Sequence, residues 1–324
     1  MNNLGDKAWL MKDICILFLA PNWRVSLLRS FKKSMPEKVF LIGADSDHDS
    51  SALKVVDRSY VIPKFVEQEC VERIRIICEK EKISAILPMT NKAIAFMDKN
   101  RNWFGKGDLS PYLADSPVIQ TCNDKRRLAN FFSQNNISSP ELVSPDQPFP
   151  GFTLIAKEPC GEGGKNCFKV ENQTDLDFYS KKLPKHIFQR FVQGREFSID
   201  WFSDKKGFPV VTVPRERLAI RAGEVMTSRI EMASDIIESA KKVGTLLQLR
   251  GPANLQGILE ESGKFLFTDV NLRFGSGAVH TIHAGADIPG MILQEIIGES
   301  VDKKLNFVTD GSTMSRFHDA IFDS

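Results

Sequence analysis

The first hundred residues alternate between continuous apolar runs and stretches whose apolar residues recur at helical spacing. Residues 14–20 form an unbroken apolar run, as expected of a parallel strand that is buried on both faces. Residues 25–33 carry the helical spacing, and residues 39–43 form a second apolar run. Residues 66–82 then predict an amphipathic helix, and residues 83–89 predict a third strand. This alternation predicts an α/β fold that begins with a doubly wound parallel sheet.

The turn after the first apolar run argues against a nicotinamide-dinucleotide site. Residues 21–24 read Pro-Asn-Trp-Arg. A dinucleotide-binding turn needs glycines at this point, because the pyrophosphate must approach the backbone closely. The first lobe is therefore expected to be α/β without that fingerprint.

The pattern changes after about residue 110 to short predicted strands with glycine-rich connections. A helix capped by Asn123 or Asp124 opens this part of the chain. We expect three units, namely an α/β domain at residues 1–112, a small lobe at residues 113–187 and a large lobe at residues 188–324.

Composition and charge narrow the class of protein. The chain has 324 residues, 42% of them hydrophobic, and a net charge of +2, so nucleic acid and anionic membranes are not expected as partners. Six cysteines occur without a Cys-x-x-Cys pair, which is typical of reduced thiols in a cytoplasmic protein. Residues 14–20 are too short for a membrane span and lack a leader cleavage pattern. A homodimer is the default expectation for a soluble enzyme.

The first segment with candidate chemistry places a lysine at the end of an apolar strand. Lys157 ends that strand, and Gly161, Gly163 and Gly164 follow it. Glycines let backbone N–H groups close over phosphate oxygens, and a lysine adds a point charge beside them. A β-hairpin with a glycine turn explains the same residues equally well.

The second segment, residues 187–200, combines a short strand, a glycine turn and an alternating strand. In a nucleotide site, residues 189–192 would form an edge whose backbone groups read adenine. Glu196 would then accept hydrogen bonds from the ribose hydroxyls. A plain hairpin remains the alternative.

The third segment concentrates positive charge. Four arginines occur within fifteen residues with only two acids between them, and they are Arg215, Arg217, Arg221 and Arg229. Arginine forks match the geometry of carboxylates and phosphates, which favours an anion site. The alternative is a solvated face of a strand.

The fourth segment offers oxygen ligands. Asp269, Asn271 and Arg273 alternate onto one face of a predicted strand, and Gln256 lies on the preceding strand. Carboxylate and amide oxygens suit Mg²⁺ bridging nucleotide phosphates. A partly exposed edge strand would show the same pattern.

His280 and His283 follow these residues and raise the question of zinc. They have no obvious third ligand, and their spacing places them on a helix after the glycines. We interpret them as packing or substrate-lining residues.

In this order, the four segments resemble the ATP-grasp superfamily, and within it the carbamoyl-phosphate-synthase-like carboxylate–amine ligases. Each motif alone is loose, whereas the ordered set is specific and spans nearly the whole chain. The resemblance implies a pre-ATP-grasp lobe followed by a two-lobed α+β ATP-grasp module. It further implies an ADP-forming ligase that activates a carboxylate as an acyl phosphate for capture by an amine or another nucleophile. ATP and Mg²⁺ or Mn²⁺ would be its cofactors, and a small carboxylate and an amine its partners.

The resemblance also assigns roles by position. The residues that it assigns to ATP binding are Lys125, Lys157, Gly161, Gly163, Gly164, Gln189, Phe191, Val192 and Glu196. The residues that it assigns to metal binding are Gln256, Asp269 and Asn271. The residues expected to act in catalysis are Lys157, Arg217, Arg221 and Arg273.

Two positions depart from the family's pattern. Asp269 stands where the family usually has glutamate, and its shorter side chain bears on whether one or two metal ions bind. Gln189 stands where the hinge often begins with glutamate, which affects one contact to the adenine amino group.

Two other functions stay open at this point. One is phosphorylation of bicarbonate or carbamate, although a full synthase duplicates the module that occurs once in this chain. The other is a non-catalytic nucleotide-binding protein. Retention of Asp269, Asn271 and Arg273 argues against the second, because a decayed site should lose its charged groups first.

Overall fold

The first lobe is built on a five-stranded parallel sheet. The computed structural model describes residues 13–104, 109–161, 166–221, 223–301, 308–317 and 319–322. The strands are β1 (Ile14–Leu19), β2 (Val39–Asp45), β3 (Arg58–Val61), β4 (Ile83–Pro88) and β5 (Ser110–Pro111). Their order is β3-β2-β1-β4-β5, and each neighbouring pair is parallel. The prediction of a doubly wound parallel sheet is confirmed.

Within the described residues, four helices accompany this sheet. They are α1 (Val25–Ser34), α2 (Glu69–Glu81), α3 (Asn91–Lys99) and α4 (Arg101–Phe104), and a 3₁₀ turn spans Ser51–Lys54. The predicted start of α2 at residue 66 is wrong by three residues. Val66 is 90% exposed, and Lys64 and Glu67 form a turn before the helix. The apolar side chain at Val66 therefore lies outside the helix and its buried face.

A four-stranded antiparallel sheet follows. Two helices, α5 (Ser116–Asn123) and α6 (Lys125–Gln134), precede its strands β6 (Leu142–Val143), β7 (Leu154–Lys157), β8 (Phe168–Val170) and β9 (Ile187–Arg190), with α7 (Gln173–Lys182) between the last two. The strand order is β6-β9-β7-β8. Asp124 is the residue that caps α6, since its carboxylate accepts from the amides of Arg126 and Arg127.

The third sheet has six antiparallel strands. They are β10 (Arg195–Ser203), β11 (Pro209–Arg221), β12 (Glu224–Ile230), β13 (Gly251–Leu259), β14 (Phe265–Asn271) and β15 (Thr313–Ser315). The order is β14-β13-β10-β11-β12-β15. The helices of this part are α8 (Ser234–Leu246), α9 (Ala278–His283) and α10 (Ile288–Ile296). In the described part of the chain, no helix has the length and apolar content needed to cross a bilayer.

The first lobe and the six-stranded sheet share one hydrophobic core. Phe31 of α1 packs edge-on against Phe18 of β1 and against Phe274, with ring centroids 4.9 and 5.6 Å apart. Helix α1 also contacts α9 and α10. These contacts fix the carboxyl ends of the parallel strands beside the residues that follow β14. The domain boundaries at residues 112 and 187 stay a prediction.

Candidate active site

A cleft of about 490 Å³ lies between the four-stranded and the six-stranded sheet. Its volume falls within the range of about 300–1,000 Å³ that is typical of small-molecule sites. Five residues that the sequence assigned to ATP line this cleft, and they are Lys157, Gln189, Phe191, Val192 and Glu196. The cleft thus brings together the lysine strand and the proposed hinge.

The hinge between β9 and β10 is fixed by contacts within the protein. The Phe191 amide donates to the Thr153 carbonyl at 2.9 Å, and Gln189 Nε2 donates to the Pro140 carbonyl at 2.8 Å. A Cβ at Gly194 would lie 2.2 Å from the Leu259 carbonyl oxygen, so only glycine allows this approach. The Phe191 amide is therefore already used, and adenine recognition at this edge would fall to other backbone groups.

Apolar side chains to which the sequence assigned no role form walls of the cleft. Ile155 of β7 and Ile258 of β13 both line it. In β7, Leu154 and Ala156 are buried in the core of the small sheet, whereas Ile155 and Lys157 face the cleft. Because strand residues alternate between faces, Ile155 is expected on the same face as Lys157. The sequence could therefore have identified Ile155 as a residue that lines the cleft.

Two lysines approach one carboxylate at the end of the cleft. Lys125 Nζ lies 3.3 Å from Asp269 Oδ1 and donates to the Gly161 carbonyl at 2.7 Å. Burial lowers the pKa of Lys157, the neighbouring Lys125 lowers it further, and the charge of Asp269 opposes both effects. Two lysine side chains beside one carboxylate suit the negative charge of a phosphate. Gly163 and Gly164 lie outside the described residues.

The predicted metal ligands lie side by side on two paired strands. Gln256 of β13 is directly opposite Asp269 of β14, and Asn271 lies two residues further along the same strand. All three are partly exposed, so a ligand can reach them. One carboxylate and two amides form an oxygen donor set that fits Mg²⁺. Arg273 lies two residues beyond the end of β14.

The two arginines on the inner face of β11 are already paired. Arg215 is fully buried, and its Nε and Nη2 donate to the Asp200 carboxylate at 2.7 and 3.3 Å. Gly277 packs on this guanidinium, since a Cβ there would lie 2.4 Å from Arg215 Nη1. Arg217 Nη1 donates to Glu196 Oε2 at 3.1 Å, and burial lowers the pKa of Arg217. The residue assigned to ribose and a residue assigned to catalysis are thus bound to each other.

The other two arginines of this segment lie away from the cleft. Arg229 pairs with Glu216 at 2.7 Å, on the face of the sheet opposite to the inner-face arginines. Arg221 ends β11 in an exposed position opposite Glu224. The structure brings neither of them to the residues that line the cleft, although Arg221 was assigned to catalysis.

His280 is a packing residue. It is 2% exposed, and its ring nitrogens lie 2.9 Å from Ser228 Oγ and 3.1 Å from Ser312 Oγ. Burial lowers its pKa to about 4, so the ring is neutral at neutral pH. Within the described ranges, the one grouping of three potential ligand residues is the exposed triplet at residues 47–49, which includes neither His280 nor His283.

All six cysteines lie among the described residues, and no disulfide joins any two of them. Four of them, in the first lobe and at the end of α5, are buried. Burial raises the pKa of the Cys70 thiol to about 11 and that of the Cys122 thiol to about 12. These thiols are therefore protonated and inert at neutral pH.

Comparison with known proteins agrees with this architecture. Residues 16–110 match the family described as PylC-like, N-terminal domain, and residues 122–277 match the ATP-grasp domain. A carbamoyl-phosphate synthase from Methanobrevibacter smithii is 18% identical over 165 residues. That match covers 48% of this chain and 44% of the synthase, so the chain spans less than half the length of this curated relative.

Solved structures share the fold over most of the chain. An L-amino acid ligase from Bacillus licheniformis is 16% identical with a TM-score of 0.72, covering 93% of this chain and 79% of the ligase. The biotin carboxylase domain dimer of 2-oxoglutarate carboxylase from Hydrogenobacter thermophilus, in complex with MgADP, ADP and bicarbonate, is 14% identical with a TM-score of 0.70. This second match covers 92% of the chain and 73% of the domain.

Proposed function

Because the chain belongs to the ATP-grasp superfamily, we propose that it is an ADP-forming ligase that activates a carboxylate as an acyl phosphate for capture by an amine. The observation that carries the proposal is the continuity of one cleft. The hinge residues lie in it, Lys157 lines it, and its lining includes Thr268, the neighbour of Asp269. A nucleotide in the cleft would therefore direct its phosphates toward the lysines and the oxygen ligands.

The base and the sugar have separate surroundings in this proposal. Ile155, Val192 and Ile258 supply apolar surface on which adenine packs. The side chain of Glu196 is 47% exposed and accepts hydrogen bonds from the ribose hydroxyls. Since Arg217 now occupies one of its oxygens, nucleotide binding either shares this carboxylate or releases Arg217 toward a phosphate.

Mg²⁺, or alternatively Mn²⁺, fits the oxygen donors of Gln256, Asp269 and Asn271. When bound, the metal ion neutralises charge on the nucleotide phosphates. Asp269 Oδ1 already lies beside Lys125, so the lysine and the metal share one carboxylate. With a single acid in the set, we propose that one ion is held more firmly than a second.

The chain's own residues then serve phosphoryl transfer by position and charge. Lys125 and Lys157 offset the negative charge of the phosphates, and Arg273 stabilises the group in transfer. An oxygen of the substrate carboxylate attacks the γ-phosphorus, and ADP leaves with the electron pair of the broken bond. The amine next attacks the carbonyl carbon of the acyl phosphate and expels phosphate.

A second candidate is phosphorylation of bicarbonate. The likeness to a carbamoyl-phosphate synthase favours it, as does the likeness to a biotin carboxylase domain whose structure contains bicarbonate. The likeness to an L-amino acid ligase favours the first candidate instead.

We also propose a cytoplasmic location and a homodimer. The absence of disulfides among the six described cysteines fits a reducing compartment. The matched biotin carboxylase domain is described as a dimer.

The activity is tested by ADP and phosphate release in the presence of Mg²⁺ and ATP. The panel comprises amino acids and small carboxylates, each with and without amines. Release that requires one acid and rises with one amine supports the ligase and names both substrates. Release with bicarbonate alone supports the second candidate. ATP binding without release on any acid would instead indicate a non-catalytic nucleotide-binding protein.

Lys157→Ala tests the site within this assay. Loss of its charge beside the phosphates should lower kcat by at least ~100-fold, while the free energy of unfolding stays near the wild-type value. Lys181→Ala, which removes an exposed lysine from α7 in the same lobe, is the control and should retain full activity. Substantial turnover by Lys157→Ala would contradict the assignment.

A further inference from the structure

A side chain from the first lobe reaches the residues assigned to phosphoryl transfer, although none of the four sequence segments includes it. Asn91 Oδ1 accepts a hydrogen bond from Arg273 Nε at 3.1 Å. Asn91 Nδ2 donates to Asn271 Oδ1 at 3.4 Å. Arg273 Nη2 lies 3.5 Å from that same oxygen. One amide thus contacts both the phosphoryl-stabilising arginine and a proposed metal ligand.

The backbone holds Asn91 in a defined place. It is the first residue of α3, and Thr90 Oγ1 caps this helix by accepting from the Ala93 amide at 3.1 Å. Met89, two residues before Asn91, donates its amide to the Leu19 carbonyl at 2.9 Å. Asn91 therefore follows the carboxyl end of β4 beside the end of β1. The strand order reverses between these two strands, which is where open α/β sheets place ligand sites.

The amide group suits both contacts at once. A carboxamide presents one acceptor and one donor in fixed directions, and here the acceptor faces a guanidinium while the donor faces an amide oxygen. Arg273 Nη1 donates to the Phe274 carbonyl at 3.1 Å, so the guanidinium is held at Nε and at Nη1. Hydrogen bonds at both nitrogens restrict rotation of the guanidinium plane of Arg273.

We propose that Asn91 is a positioning residue, which orients Arg273 for the transferred phosphoryl group and ties that orientation to the place of the first lobe. This inference rests on the proposed function of the cleft. Asn91 acts through Arg273, whose Nε donates to its Oδ1. Its loss should accordingly weaken stabilisation of the transferring group and leave binding of ADP unchanged.

The test uses a probe that does not require the unknown acid. Aluminium fluoride mimics the phosphoryl group in transfer, and binding of MgADP is measured by calorimetry with and without it for the wild type and Asn91→Ala. The wild type should bind MgADP more tightly when aluminium fluoride is present. Asn91→Ala should bind MgADP alone with an affinity within about twofold of that of the wild type. The increase in affinity that aluminium fluoride causes should be about tenfold smaller in Asn91→Ala than in the wild type. Asn91→Asp lacks the Nδ2 donor, and its carboxylate pairs with Arg273. It should lose a similar part of the affinity gained from aluminium fluoride.

A second contact between the lobes provides the matched control. The Tyr112 hydroxyl donates to Glu295 Oε2 at 2.8 Å, and neither residue belongs to the set of proposed ligands. Tyr112→Phe removes this hydrogen bond and should keep the full gain from aluminium fluoride. An equal loss in Tyr112→Phe and Asn91→Ala would show that lobe packing alone matters and would overturn the inference.

The remaining outcomes separate this inference from the ligase proposal. An unchanged gain in Asn91→Ala overturns the positioning role, whatever the substrates are. No gain in the wild type also overturns it, because no phosphoryl site then exists at Arg273. If the wild type releases no ADP with any acid, yet gains affinity from aluminium fluoride and loses it in Asn91→Ala, the ligase proposal fails and the positioning role stands. Where an acid is found, Asn91→Ala should lower kcat about tenfold and leave the KM for ATP unchanged.

Discussion

Two pairs of strands in the six-stranded sheet carry most of its polar groups, and they use them differently. In β11 and β12, three arginines pair with acids of β10 or β11. Their ion pairs are Arg215–Asp200, Arg217–Glu196 and Arg229–Glu216. In β13 and β14, Gln256, Asp269 and Asn271 lie on one partly exposed face, and the lysine beside Asp269 comes from α6, outside the sheet.

The difference shows that the number of charges in a segment does not reveal whether they are available to a ligand. The arginine segment reads as the stronger anion site by composition, yet its most buried arginine donates two hydrogen bonds to the Asp200 carboxylate. The segment with Asp269 has fewer charges, and the side chain of Asp269 is 30% exposed.

Arg215→Ala tests the difference between the two strand pairs, and we expect it to lower the free energy of unfolding by the largest amount. Removing one member of a buried ion pair leaves Asp200 charged and buried, which costs about 3–5 kcal/mol of unfolding free energy. Asn254 and Thr281 still donate to Asp200, but neither carries a charge. Equilibrium denaturation in urea measures the change.

The controls for this prediction lie in the same segment. Arg229→Ala removes a pair whose arginine is 45% exposed, and it should cost less than about 1 kcal/mol. The double variant Arg215→Met with Asp200→Asn removes both buried charges and should cost less than Arg215→Ala alone. Equal costs for Arg215→Ala and Arg229→Ala would show that the buried pair has no special structural role.

Asp269→Asn should produce the opposite result. The amide keeps the size of the side chain but removes the only carboxylate of the proposed metal set, so kcat should fall about 100- to 1,000-fold. The unfolding free energy should change by less than about 1 kcal/mol, since the pair with Lys125 is partly exposed. Turnover is measured across Mg²⁺ concentrations, and metal affinity by calorimetry.

Glu261→Gln serves as the control, because it removes an exposed carboxylate from the turn between β13 and β14. It should leave both turnover and the Mg²⁺ dependence at wild-type values. Wild-type metal affinity in Asp269→Asn would remove Asp269 from the ligand set and weaken the distinction between the two strand pairs.

Burial explains how much of the fold the sequence predicts. β1 and β4 are buried along their length, so each reads as an apolar run that few other structures produce. β3 is an exposed edge strand with polar residues, and its pattern does not distinguish it from a loop. The exposed Val66 likewise misplaces the start of α2, because an apolar residue at helical spacing does not have to belong to the helix.

The site is predicted only where a local pattern points to it. Lys157 ends an apolar strand, and Asp269 and Asn271 alternate along another, so the pattern of their neighbours in the chain marks them as candidates. Asn91 is 180 residues from Asn271 and has no local signature. The pairing of Arg215 with Asp200 depends on the register of two strands, which spacing within one segment does not contain.

His280 gives the smallest of the expected effects and extends the comparison to pH. Burial, with Arg215 and His283 adding to it and Asp200 opposing it, lowers the His280 pKa from 6.5 to about 4. Between these two values the unfolded chain binds a proton that the folded chain does not. Stability from this group is therefore complete above pH 6.5 and falls by up to about 3 kcal/mol as the pH drops to 4.

His280→Gln isolates this contribution, because glutamine keeps a donor and an acceptor for Ser228 and Ser312 but does not titrate. Its unfolding free energy, measured in urea from pH 7 to pH 4, should fall less steeply than that of the wild type. His48→Gln removes a histidine whose side chain is 77% exposed, and it should keep the wild-type slope. Parallel profiles for His280→Gln and the wild type would mean that His280 takes up its proton within the fold. The buried face of β12, which His280 contacts through Ser228, would then accommodate a charge as the face with Asp269 does. The two strand pairs would in that case differ in the groups that their side chains contact, and burial would not distinguish them.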